Sequence, residues 1–173
     1  MIGTKTTAAA EQIDRLPDDD EEILLILSGR WHGMDLLGAV LTLASPATIT
    51  AAHVSSLAIN KMHTRRLEEL PGAGLIGRIT LVVGEIFREH SPSEWAELVR
   101  VFGADPTRRR LAAVRNHTKL MALELTDGRR LAIHGSLNLR RCSCYEQAAI
   151  VNHADTFDFF RAFVDEIAAQ GAA

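Results

Sequence analysis

The sequence predicts an α/β domain: a three-layer α/β/α sandwich around a mixed, mostly parallel sheet, with an antiparallel element in its C-terminal half. Three observations predict it. Short runs of aliphatic residues alternate with longer stretches of helical periodicity. Two apolar runs flank a Thr126-Asp127-Gly128 turn signal, which reads as a hairpin. The chain closes on an amphipathic stretch in which Phe157, Phe160, Val164 and Ile167 recur at helical spacing. With 173 residues, 47% of them hydrophobic, it can bury a sizeable core in one domain.

The elements follow in order. Residues 1–20 lack apolar periodicity and read as a flexible leader or a loosely docked helix; with the acidic cluster Asp18, Asp19, Asp20, Glu21 and Glu22, a flexible acidic leader over 1–21 is expected before a single domain over 22–173. Residues 22–27 (EILLIL) are a continuous apolar run, read as a buried central strand. Residues 28–33 form a loop. Residues 34–44 read as a helix that Ser45-Pro46 ends. A strand over 48–54 (TITAAHV) and a helix over 58–70 follow, and the latter is broken at Pro71-Gly72. Residues 78–83 (RITLVV) are a third strand. Residues 93–102 are a helix after Pro92, with Ser91 or Ser93 as its cap. Residues 111–114 are a short strand or the approach to the hairpin. Beyond the hairpin lie a strand over 146–151 and the closing helix over 154–170.

Composition excludes several classes. No apolar run approaches the roughly 20 residues that a membrane span needs. No apolar h-region marks an export signal near the N-terminus. Cys142 and Cys144, the only cysteines, are too close for an ordinary structural bridge, which fits a reducing cytoplasm. Neither they nor the histidines show zinc-site spacing, so no metal and no cofactor is expected. The net charge of −3 hides a local excess of cations. Arg108, Arg109, Arg110, Arg115, Arg140 and Arg141 crowd the hairpin region, and all six are candidate nucleic-acid contacts.

The chemistry gathers between Asn116 and Gln147. Successive strand residues point to opposite faces, so His117 and Lys119 share one, and so do Ser136 and Asn138. If the hairpin closes at Asp-Gly, both pairs lie near its open end. An imidazole, an ammonium, a hydroxyl and an amide then converge. That set suits a phosphate: a nucleophile or base, a fixed cation and two neutral donors.

These residues resemble the signature of the phospholipase D superfamily, H-x-K-x4-D-x6-G-S-x-N. His117, Lys119, Gly135, Ser136 and Asn138 stand at its positions. The aspartate position is filled by Glu124 as a conservative replacement or by Asp127 as a shifted equivalent; spacing leaves both open. Glu146 resembles the glutamate that the family carries after G-S-x-N, at a shorter spacing. The resemblance implies a phospholipase D-like fold and metal-independent phosphodiester cleavage through a phosphohistidine. One His117 attacks phosphorus, Lys119 neutralises the non-bridging oxygens, Ser136 and Asn138 donate to them, and Glu146 orients the imidazole. Family members carry two such motifs around one site and this chain carries one, so a C2 homodimer is implied. Small single-motif members act on nucleic acid, which makes a nuclease acting on DNA the expected function. The alternatives are a DNA-binding module with weak or no catalysis and, behind it, a phospholipid phosphodiesterase, since no membrane-surface element flanks the motif.

Overall fold

Leu81, Val82 and Val83 are consecutive and fully buried, yet they enter different cores. Leu81 and Val83 join a large apolar cluster on one face of the sheet, and Val82 joins a smaller one on the other. Leu131, Ala132 and Ile133 divide the same way. This is the period-two alternation of a strand covered on both sides, and it is why these runs read as continuous apolar stretches. The structure is a computed structural model that describes residues 4–27, 31–140 and 143–171.

The strands are β1 (Glu22–Leu27), β2 (Ile49–Ser56), β3 (Ile76–Gly84), β4 (Arg109–Val114), β5 (Leu120–Leu125), β6 (Arg130–Gly135) and β7 (Glu146–Val151). They form one sheet in the order β1-β7-β6-β5-β2-β3-β4. The helices are α1 (Thr4–Ile13), α2 (Gly33–Ala44), α3 (Lys61–Gly72), α4 (Glu85–His90), α5 (Pro92–Gly103) and α6 (Ala154–Gln170). Residues from α1 to α5 pack into the larger cluster, while α6 supplies Val164 and Ala168 to the opposite face. The molecule is thus an α/β/α sandwich. Its sheet is mixed, as expected. Five strands run one way, but β5 and β7 run against them, so parallel pairing is confined to β2–β3 and β3–β4. Connection length explains the division: helical crossovers join the parallel pairs, whereas β5–β6 and β6–β7 are joined by short segments that only permit antiparallel neighbours.

Of the two readings of the N-terminal stretch, a flexible leader or a docked helix, the fold has the helix, α1. Ala9, Ala10, Ile13 and Leu16 are buried in the main cluster. A Cβ at Gly38 of α2 would lie 2.5 Å from Thr6 Cγ2, so the missing side chain lets α1 lie close against α2. Alanines give such a helix little apolar contrast, which is why the sequence hides it. The connection to β1 is pinned by Arg15, whose guanidinium donates to both carboxylate oxygens of Glu21. That bond, with the Asp18 N–H behind it, lowers the Glu21 pKa from 4.5 to about 2. A depressed acid stabilises the fold above its unfolded pKa and loses that contribution as pH falls through the folded one. Glu21→Gln is therefore expected to lower stability above the ordinary glutamate range. In acid titrations of unfolding, the gap from wild type should close as pH falls toward about 2.

Candidate active site

The hairpin forms as its sequence reads. The β5–β6 register runs from Leu120 opposite His134 to Glu124 opposite Arg130. Leu125 N–H donates to Arg129 O at 2.9 Å, and Gly128 takes a left-handed φ of +92° in the turn between. At the open end, Gly135 N–H donates to Lys119 O at 3.3 Å. H-x-K, preceding β5, and G-S-x-N, following β6, therefore meet at one end of the sheet.

Local bonds set the faces of the first half. Thr118, itself exposed, aims its hydroxyl at β2: its Oγ1 lies 2.7 Å from Ser55 Oγ, and its N–H donates to Asn116 Oδ1 at 2.9 Å. Its neighbours on either side then share the other face. His117 is exposed and Lys119 half-buried, and Lys119 Nζ lies 3.1 Å from His117 Nδ1 and 2.7 Å from His117 O. An ammonium can only donate, so Nδ1 accepts and the neutral ring carries its proton on Nε2. Burial pushes the Lys119 ammonium below the usual lysine range, and the charge of Glu146 partly opposes this.

The second half is held as firmly. Ser136 donates its hydroxyl proton to Glu146 Oε2 and accepts from Gln147 N–H at 3.0 Å. Asn138 Oδ1 accepts from Leu57 N–H at 3.1 Å. Glu146, expected to orient the imidazole, is instead bonded to Ser136. The register accounts for this: Ser136 N–H donates to Gln147 O, which sets Ser136 beside Glu146, while β6 stands between β7 and the His117 end of β5.

The other expected residues divide by strand end. Glu124 is not gathered into the site. It is exposed near the turn end of β5, roughly 16 Å along the strand at about 3.3 Å per residue. Asp127 lies in the turn and binds Arg129. Arg108, Arg109 and Arg110 also sit away from His117, because Arg109 and Arg110 begin β4, with Arg108 just before it, and the strand runs toward the site. Arg109 is a structural tie: its guanidinium donates to Val101 O at 2.8 Å and Glu68 O at 2.9 Å. Arg108 faces Asp105 at 4.0 Å. Arg115 and Arg140 are exposed at the site end, and Arg141 lies outside the described residues. The sequence reading missed Ser55, Ser56 and Asn116, which line the back of the site. The available signal was the polar pair Ser55-Ser56, which ends β2.

No protein-family model matches the chain, and no curated protein matches its sequence. Solved structures do match its fold. Nuc, a phospholipase D family member from Salmonella typhimurium, superposes with a TM-score of 0.61 at 14% identity, over 88% of this chain and 99% of Nuc. Its fold is phospholipase D-like. NucT from Helicobacter pylori matches with a TM-score of 0.59 at 11% identity, over 88% of this chain and 98% of NucT. The fold also matches that of TrmBL2, an archaeal chromatin protein with a novel mode of DNA binding. There the TM-score is 0.53 at 9% identity, over 96% of this chain and 62% of TrmBL2. Among the described residues, no helix is long and apolar enough to cross a membrane.

Proposed function

We propose that this phospholipase D-like chain is a metal-independent phosphodiesterase, a nuclease that cleaves nucleic-acid backbones through a phosphohistidine in a site shared by two copies. The observation that supports the reading is the pairing of His117 with Lys119 at the open end of the hairpin, across from Ser136 and Asn138. One His117 attacks phosphorus, forming a P–N bond as the P–O bond to the leaving alkoxide breaks. The second copy's His117 donates the proton that this alkoxide takes. Water, deprotonated by that same ring, then displaces the attacking imidazole and releases the phosphate monoester. The ring that protonates the leaving oxygen is the imidazolium, with a proton on each nitrogen, and the attacking ring is neutral with its proton on Nδ1 and Nε2 free. Both forms require Lys119 to move from Nδ1, where it rests, onto the phosphate oxygens. Arg115 and Arg140, exposed and without an ion-pair partner among the described residues, favour a polyanionic substrate.

A second reading, a DNA-binding module without turnover, draws on the likeness to TrmBL2. Plasmid and oligonucleotide cleavage in EDTA at low salt separates the two. Cleavage is expected, together with a dimer in light scattering at micromolar concentration. DNA binding without cleavage would favour the module, and a strict monomer would remove the shared site.

A further inference from the structure

A side-chain amide can exchange its oxygen and NH2 by a half-turn, so its surroundings decide which end faces a ligand. For Asn138 those surroundings come from outside the motif. Leu57 N–H can only donate, and it meets Asn138 Oδ1 at 3.1 Å. The Ser56 hydroxyl approaches the same oxygen at 3.4 Å. With the oxygen held from behind, the NH2 is the end left for a substrate.

Ser56 does more than touch this oxygen. It is the last residue of β2, 1% exposed, and its Oγ accepts from Leu139 N–H at 3.0 Å while lying 3.0 Å from Ala58 O. The same peptide is gripped elsewhere. Ile59 pairs with Leu139 in a parallel bridge. Gly33 N–H, at the start of α2, donates to Asn138 O at 2.9 Å. His63 on α3 is fully buried, with Nδ1 2.5 Å from Leu139 O; a carbonyl only accepts, so this nitrogen carries the proton. Asn138 O, Leu139 N–H and Leu139 O are thus met from α2, β2 and α3, three elements that carry none of the motif.

We propose that Ser56, with His63 beneath the same peptide, positions Asn138 so that its NH2 is presented to a non-bridging phosphate oxygen. The proposal rests on the phosphodiesterase reading and deepens it. Neither residue touches substrate; both act through Asn138. Their substitution should therefore affect the reaction step more than binding.

The test is a double-mutant cycle on bis(p-nitrophenyl) phosphate with wild type, Ser56→Ala, Asn138→Ala and the double variant. Ser56→Ala is expected to lower kcat by up to roughly 10²-fold, the scale of a misplaced group, with KM little changed. In the Asn138→Ala background the same substitution should change nothing, and Ser56→Thr should restore activity. A full Ser56→Ala loss in that background would mean a general structural role and overturn the proposal. Should Ser56→Ala not fold, His63→Asn, which keeps a donor near Nδ1, and His63→Leu carry the same cycle: the first should act like wild type and the second like Ser56→Ala. If wild type cleaves nothing, the phosphodiesterase reading fails. The positioning is then read by NMR with inorganic phosphate. Phosphate should shift the Asn138 NH2 signals in wild type and not in Ser56→Ala; equal shifts in both, or none in wild type, would overturn it.

Discussion

His117→Ala is expected to lower cleavage by roughly 10⁴-fold or more, the scale on which removing a covalent nucleophile acts. At about 1.4 kcal/mol per tenfold, that is about 5.5 kcal/mol of transition-state stabilisation. In the proposed mechanism the effect is large because the ring has two duties. In a site built from two copies, one ring attacks and the other protonates the leaving oxygen, and the substitution removes both. Folding should be almost untouched: His117 is exposed, and its hydrogen-bonded contact is to Lys119. Surface changes of that kind shift stability by about 0.5 kcal/mol or less. DNA affinity should persist, since Lys119, Arg115 and Arg140 remain. Mixed dimers give the sharper measurement. One wild-type copy beside one variant copy should be nearly inactive if the rings divide the work, and should keep about half the rate if each copy acts alone. Retained cleavage in the pure variant would sink the assignment of His117.

Much of this arrangement is legible in the sequence because it is local. The Thr126-Asp127-Gly128 turn fixes the hairpin register, and that register carries His117 and Lys119 to Ser136 and Asn138. The aliphatic runs mark β1 to β3, but the apolar run EILLIL, which reads as a buried central strand, is an edge strand with Leu24 and Ile26 exposed, because no local signal tells an uncovered apolar face from a covered one. What the sequence conceals is set by long-range pairing. Pairing of β1 with β7, the first strand with the last, follows from no local signal. Arg109 is near the motif in sequence but begins a strand that runs toward it, so the intervening residues become distance. Glu146 reads as a partner for the imidazole until the β6–β7 register sets it beside Ser136. Ser56 falls outside the strand expected over 48–54, and only the fold reveals that it ends β2 and faces Asn138.

Gly135→Ala is expected to cost about 3 kcal/mol of stability, a strained backbone and a steric overlap acting together. Gly135 has a φ of +156°, and a Cβ built on it would lie 2.1 Å from Gln147 O and 2.8 Å from Ala148 Cα. Both contacts are with backbone of the paired strand β7, so no side-chain rotation relieves them. Either β6 moves away from β7 or the ladder breaks where Ser136 N–H reaches Gln147 O. For a chain of 173 residues, at about 2–4 °C per kcal/mol, Tm should fall by roughly 6–12 °C. Gly103→Ala is the matched control. It ends α5 with nothing within 4 Å of the added Cβ, so its change should stay within about 1 kcal/mol. The glycine also has a functional consequence. Separating β6 from β7 would part Ser136 from Glu146 and shift the loop that carries Asn138, so cleavage should fall even below the melting transition. A Gly135→Ala protein with wild-type Tm would mean that the two strands approach less closely than 2.1 Å implies. Unchanged cleavage beside a lowered Tm would separate the stability of this ladder from the geometry of the site.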